Sequence, residues 1–371
     1  MIKRFKLIIW SAALAAALAA CSEGASSERR VKIGVTLYQS NDVFINELKD
    51  ELTLAFRAKE APGCGAPLKL SFVDAGGSQS VQNNQVNTFI AQQYDVICVN
   101  MVDRTAASAV IDKAAAAGVA IVFFNREPVR QDLMRSSNLY YVGAAADQAG
   151  EIQADIIARA WVAEKAAAFR ADFGRRVLGR DWAGEFRPVM DLNGDAVLQY
   201  VMLEGEPGHQ DALMRTDVAI RELTGAWRVK VERLASDTAM WQRSQAREKM
   251  AAWLAADFGA EIECVISNND SMALGAIDAL RENGLNLPGA SGGRRLTVVG
   301  VDATKRALAA IREGSLWATV MNDSKSQAKA IADIAVSAAG GAASTDAEGF
   351  DGKFFYSDYK PVTAMNAEIM D

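Results

Sequence analysis

The sequence predicts an α/β protein built from two doubly wound parallel-sheet domains. Short β-type apolar runs alternate with longer helical patterns from Val31 onward, which is the signature of βαβ units. The 371 residues suit two domains at roughly 150 residues each, with some chain to spare. Composition agrees: 50% hydrophobic and 23% charged residues with only 7 Pro describe a chain with real cores, neither disordered nor collagen-like.

Residues 1–20 read as an export signal that is not part of the fold. Lys3, Arg4 and Lys6 form a basic start. The apolar stretch at 7–20 is too short to cross a bilayer comfortably. It ends in Leu18-Ala19-Ala20-Cys21, which resembles the lipobox of bacterial lipoproteins and implies lipidation of Cys21 as the mature N-terminus. The alternative is an uncleaved anchor, or an ordinary signal with an incidental Cys. Residues 21–30 are small, polar and charged, as in a tether. No later stretch is long and apolar enough for a transmembrane helix. The body is thus expected outside the cytoplasm, held to a membrane by lipid.

The first domain is expected over 31–143. Strands are predicted at 31–38, 68–73, 96–102 and 119–125, and helices at 43–59, 81–93 and 105–117, the last closed by Gly118. The second domain is expected over 144–302. It opens with an Ala-rich helix at 147–165. An Arg-rich stretch without a clear period follows at 166–190 and reads as an inserted surface excursion. Strands are then predicted at 197–203, 228–233, 263–267 and 297–301, and helices at 211–223, 241–254 and 272–283. The tail has a helix at 304–313, a strand at 317–322, a helix at 327–339, a Gly/Ala/Ser-rich loop at 340–352 and a strand at 354–356. The expected assignment returns 303–322 and the residues after 355 to the first domain, and gives 323–354 to the second.

In doubly wound sheets, ligands bind beyond the carboxyl ends of the strands. Several polar clusters fall there: Asp42-Val43-Phe44, Phe123-Phe124-Asn125-Arg126-Glu127-Pro128, Gly205-Glu206-Pro207-Gly208-His209-Gln210-Asp211 with Arg215, Asp237-Thr238-Ala239-Met240-Trp241, Ser267-Asn268-Asn269-Asp270, Val299-Gly300-Val301-Asp302 and Met321-Asn322-Asp323. Taken in this order, they closely resemble the periplasmic glucose/galactose-binding proteins, receptors of sugar ABC importers and in some bacteria of chemotaxis. The resemblance spans most of 31–329 and fails at 166–190. It implies the type 1 periplasmic-binding-protein architecture, two domains joined by a hinge around a cleft.

It also implies the ligand. Phe44 and Trp241 would be stacking rings for the two apolar faces of a pyranose, one from each domain. Asp42, Asn125, His209, Asp211, Arg215, Asn269, Asp302 and Asn322 would bind its hydroxyl rim. That chemistry suits a sugar: ionised Asp only accepts, Arg only donates and Asn does both. Taken singly, Phe44 reads as a core ring and Asp211–Arg215 as a surface i,i+4 pair. Arg126 departs from the family, which typically has Lys after the motif Asn, so a planar fork replaces a point charge. Asn41 likewise stands where the family has an acidic residue.

Asp191-Leu192-Asn193-Gly194-Asp195-Ala196-Val197-Leu198-Gln199 places oxygen donors at the EF-hand positions: Asp191, Asn193, Asp195, the Val197 carbonyl and Gln199. Met202 stands where an EF-hand has its Glu. Ala196 stands where Gly is usual, at a position that favours a left-handed backbone and costs Ala about 1 kcal/mol. The family resemblance supplies the missing ligand as Glu263 and implies a structural Ca²⁺ away from the sugar. The plainer reading is an ordinary Asp/Asn/Gly turn. Cys64, Cys98 and Cys264 show no CxxC spacing and give no disulfide framework or metal site; Cys98 and Cys264 lie in apolar runs and read as buried hydrophobes.

Net charge is −6, unsuited to nucleic-acid binding. A single His argues against a His-rich zinc enzyme. The expected function is a monomeric, lipid-anchored receptor that binds D-glucose or D-galactose and delivers it to an ABC permease, with a chemoreceptor as a further partner. A pentose or methyl-galactoside is the alternative ligand. A sugar-responsive regulator is opposed by the signal segment and by the missing helix-turn-helix. A glycosidase is opposed by the lack of any nucleophile elbow, phosphate loop or zinc signature.

Overall fold

A computed structural model of the chain describes residues 30–60, 67–161, 191–287, 294–341 and 350–369. The signal segment, Cys21, Cys64 and the insertion expected at 166–190 lie outside the described residues. Among the described residues, no helix is long and apolar enough to cross a membrane.

The chain forms two parallel sheets with the same internal winding. In the first domain, β1 (Val31–Leu37), β2 (Leu68–Asp74), β3 (Val96–Val99), β4 (Ala120–Phe124) and β5 (Leu139–Ala144) stand in the order β2-β1-β3-β4-β5. In the second, β6 (Leu198–Glu204), β7 (Val231–Thr238), β8 (Cys264–Ser267), β9 (Thr297–Val299) and β10 (Ala318–Met321) stand in the order β7-β6-β8-β9-β10. Both are doubly wound with the switch point beside the first strand. Strands β3, β4 and β8 are buried along their whole length, as strands covered by helices on both faces must be.

The helices are α1 (Val43–Lys59), α2 (Gln79–Ala91), α3 (Ala107–Ala117), α4 (Arg130–Leu133), α5 (Ala146–Trp161), α6 (Gln210–Gly225), α7 (Arg243–Leu254), α8 (Asp270–Glu282), α9 (Lys305–Arg312) and α10 (Ser324–Ala339). Many start on a side-chain cap: Asp42 for α1, Ser78 for α2, Asn269 for α8, Thr304 for α9 and Asp323 for α10. Gly118 closes α3 in the left-handed region, at φ 69°, as the sequence anticipates.

The tail corrects the expected domain assignment. Residues 303–322 belong to the second domain: Ala307, Leu308 and Ile311 of α9 sit in its core, and β10 pairs in parallel with β9. Helix α10 belongs instead to the first domain, where Ala328, Ile331, Ile334 and Ala335 share a core with Ile45, Leu48, Val96 and Val122. Strands β11 (Phe350–Asp351) and β12 (Phe354–Ser357) extend the first sheet, with β12 parallel to β5. Strand β13 (Lys360–Thr363) closes the second sheet, antiparallel to β10, so the residues after 355 divide between the two domains. The reason lies in the pattern: an amphipathic helix or apolar strand shows which face is buried but not which sheet buries it. Strand β5 is not among the strands the sequence predicts, and its Leu139, Tyr140, Tyr141 and Val142 are buried with no alternation. Cys98 and Cys264 are buried free thiols.

The described chain thus passes between domains after β5, after β10 and after β12. Every strand that supplies the cleft points its carboxyl end into it.

Candidate functional site

One cleft between the domains collects all ten residues that the resemblance implies as sugar ligands: Asp42, Phe44, Asn125, His209, Asp211, Arg215, Trp241, Asn269, Asp302 and Asn322. Tyr38, Ile45 and Arg126 complete its lining. Each site residue follows a strand end: Asp42 follows β1, Asn125 β4, His209 β6, Trp241 β7, Asn269 β8, Asp302 β9 and Asn322 β10.

The three Asn side chains share one arrangement. Asn125 Oδ1 accepts from Asn100 Nδ2 at 3.1 Å. Asn269 Oδ1 accepts from the Met272 amide at 2.9 Å. Asn322 Oδ1 accepts from Gln327 Nε2 at 2.6 Å. With each oxygen held by the protein, each Nδ2 is the group left to donate. His209 follows the same logic. It caps α6, its Nδ1 accepting from the Asp211 amide at 3.1 Å. Burial and the nearby Arg126, Arg215 and Arg104 push its pKa well down, so the ring is neutral and carries its proton on Nε2.

The carboxylates supply the acceptors. Asp42 Oδ1 accepts from the Ile45 amide and Oδ2 from the Tyr38 hydroxyl, at 3.0 and 2.5 Å, leaving lone pairs on both oxygens. Asp211 accepts from Arg215 at 3.2 Å. Arg215 is buried and also donates to the Asn268 carbonyl at 2.7 Å and the Tyr359 hydroxyl at 2.8 Å. Near Asp302 lies fully buried Asp270, which accepts from the Thr304 amide at 2.8 Å and the Thr319 hydroxyl at 2.5 Å. Burial pushes Asp270 up to about 7. Burial also holds Asp302 well above the usual carboxylate range, with repulsion from Asp270 adding to it.

The two aromatic residues come from opposite domains. Phe44 is both core and wall: it belongs to the first-domain core and lines the cavity. Trp241 is held edge-on to His209, with ring centroids 5.1 Å apart. Its own φ is 62° and that of Met240 is 52°, a backbone strain kept only where packing dictates it. Gly205 makes the room, since a Cβ there would overlap the indole. Sequence reasoning gives no site role to Tyr38 or Tyr359 and treats Arg126 only as a departure from a family pattern.

The loop at 191–199 has the donor chemistry for a hard cation. Ala196 does adopt the left-handed region, at φ 60°. Buried Glu263 reaches back to it, Oε1 accepting from the Leu192 amide and Oε2 from the Gln199 amide. The Asn193 and Gln199 amide nitrogens both donate to Asp195 Oδ2, at 3.1 and 2.7 Å, the role a cation would take. Burial raises the Glu263 pKa, and Asp191 and Asp195 add to that by repulsion. Among the described residues, no three His, Cys, Asp or Glu side chains form a metal-holding cluster.

Two doubly wound domains, three chain crossings and a polar interdomain cavity define a class of protein that closes over a small solute. The chain belongs to the periplasmic binding protein family, whose domain profile matches residues 33–343. Members of this family act outside the cytoplasm. The chain is 35% identical over 339 residues to the D-galactose/methyl-galactoside binding periplasmic protein MglB of Haemophilus influenzae, covering 91% of this chain and 90% of that protein. It is 31% identical to a putative rhizopine-binding protein of Rhizobium meliloti, covering 72% of this chain and 73% of the other. A solved ABC transporter solute binding protein from Bacillus halodurans with bound myo-inositol superimposes with a TM-score of 0.68 at 27% identity, covering 92% of this chain and 97% of that one.

The buried acid gives the fold a pH dependence. Asp270 holds its proton to about pH 7 when folded but only to its ordinary 3.8 when unfolded. The folded chain therefore binds the extra proton between those values, and the associated stability is full below about 3.8 and lost as pH rises through about 7. The ligand-free melting temperature should fall between about pH 5 and 8, and Asp270→Asn should reduce that slope. Gly205→Ala should push the Trp241 ring out of place, destabilising the fold by about 1–3 kcal/mol in urea unfolding and weakening ligand binding.

Proposed function

We propose that this protein is an extracytoplasmic receptor that binds D-glucose or D-galactose and hands it to the permease of an ABC importer. The observation that carries the reading is the pinned donor set. Three Asn side chains, His209 and Arg215 line, together with Asp42, Asp211 and Asp302, a cavity bounded by an aromatic ring from each domain. Each hydroxyl of a pyranose both donates and accepts, so it is satisfied between an Asp and an Asn, Arg or His. Charge-assisted bonds of this kind are strong in a dry cleft, and an unmatched hydroxyl is costly there. Phe44 and Trp241 are the surfaces for the two CH faces of the ring. Binding without turnover agrees with a family of binding receptors. A methyl-galactoside or another monosaccharide is the second reading, supported by the galactoside and myo-inositol ligands of relatives. Lipid attachment through Cys21 would keep the receptor beside its permease, and the closed form is the surface on which a chemoreceptor would also act.

We further propose that Asp191, Asn193, Asp195, the Val197 carbonyl, Gln199 and Glu263 hold a structural Ca²⁺. The ion would neutralise three mutually repelling carboxylates and tie β8 to the loop before β6.

Calorimetric titration of refolded, sugar-free protein should show one-to-one micromolar or tighter binding of D-glucose or D-galactose. Asp211→Ala should weaken it by at least about tenfold, the worth of a bond to a charged group, without unfolding the protein. A folded, sugar-free protein that takes up neither hexose overturns the ligand. Calcium should raise the melting temperature by several degrees and chelation should reverse it, since a ligand at about 100 times its Kd adds about 2.7 kcal/mol. Asp191→Asn should abolish the shift, and a calcium-independent melting temperature in the wild type removes the ion from the account.

A further inference from the structure

From the geometry around Arg126 we infer that this residue and Glu206 form a latch between the domains, and that Arg126 positions Asp42 through Tyr38. The inference deepens the sugar-receptor reading and, for its effect on ligand release, rests on it.

Arg126 follows β4 in the first domain, and Glu206 follows β6 in the second. Across the cleft, Arg126 Nη2 meets Glu206 Oε2 at 2.6 Å. The arginine is buried, while the glutamate side chain keeps 33% of its exposure. The guanidinium is anchored on its own domain twice over. Nη1 donates to the Val102 carbonyl at 2.7 Å. The guanidinium lies over the Tyr38 ring, 3.8 Å from its centroid, and the Tyr38 hydroxyl donates to Asp42 Oδ2. The arm is therefore preorganised on the first domain, and the carboxylate is the part that arrives on closure.

Glu206 also sits at a sensitive place. Its carbonyl accepts from the His209 amide at 3.1 Å, in the turn that leads to His209 and Asp211. When the latch engages, it draws the His209–Asp211 end of α6 toward Asn125 and Asp42, the first-domain half of the site. Another polar contact between the domains runs from the Lys305 amide to Glu47 at 3.2 Å, and its donor is a backbone amide rather than a charged side chain. The planar fork decides why arginine is needed. A guanidinium can bond Val102, pair with Glu206 and lie flat on Tyr38 at once, whereas a lysine ammonium supplies the charge but not the three contacts together. The pair is only partly buried, so its effect weakens with salt.

The test compares wild type, Glu206→Gln and Arg126→Lys as the full mature chain. Small-angle scattering without ligand, at low and high salt, should show a compact component in the wild type that salt diminishes. Both variants should lose it. Stopped-flow release of D-glucose or D-galactose should be about tenfold faster in Glu206→Gln, as expected for about 1.4 kcal/mol lost from a close charge pair. Arg126→Lys should fall with Glu206→Gln and not with the wild type, which a role for bare charge would not produce. Scattering curves that coincide for all three proteins overturn the latch, as does release unchanged by Glu206→Gln. If the wild type binds neither hexose while the scattering still separates the variants, the sugar reading fails and the latch stands.

Discussion

A buried polar group must be hydrogen-bonded, and in this cleft five site residues each commit part of their bonding capacity to the protein itself. Asn125 leans on Asn100, Asn269 on the first turn of α8, Asn322 on Gln327, His209 on the first turn of α6 and Asp42 on the first turn of α1. This double use governs the site. Where the bond is a cap, it starts the helix and at the same time fixes the orientation of the group left for a solute. A ligand therefore meets donors and acceptors that are already aimed, and little side-chain freedom is lost on binding. The fold supplies the addresses, since every one of these residues follows the carboxyl end of a parallel strand.

Charge in the cleft follows the same rule. Arg215 is buried and donates to a carbonyl, a hydroxyl and a carboxylate, which lets a full charge stay in a dry place. Arg126 does the same with a carbonyl, an aromatic face and the carboxylate of the facing domain. Asp270 and Asp302 are the exception. They crowd two acids into one region, and burial answers by keeping a proton there. Backbone strain gathers at the same points, with Asn125, Trp241 and Asp302 all at positive φ. Tight loops that turn a side chain back over a strand end need such conformations, and the packing of the two cores holds them.

Much of the cleft is legible in the linear sequence because its residues come in short motifs at strand ends. Asn268-Asn269-Asp270 after an apolar run announces both a strand end and a helix cap. The roles of Tyr38 and Tyr359 are not legible, because an aromatic residue just beyond a strand end reads equally well as part of a core. Tyr359 gains its role only through Arg215, a partner far along the chain, and Tyr38 through the guanidinium of Arg126. Strand β5 is a short continuous apolar run, which periodicity alone does not tell from a buried helix segment. The tail escapes assignment for a related reason: α10 packs its Ile331 and Ile334 on a sheet whose main strands end far earlier in the chain.

The sequence by itself determined the α/β class and the strand-end placement of short polar motifs, because these depend on local periodicity and on which residues stand next to which; the roles of those motifs came with the resemblance to a known family. Only the tertiary structure decided which sheet each tail element joins, which atom of each Asn, His and Asp is left for a solute, and that Arg126 meets Glu206. That last pair stands 80 positions apart, and no local pattern encodes a contact whose two halves fold into different domains.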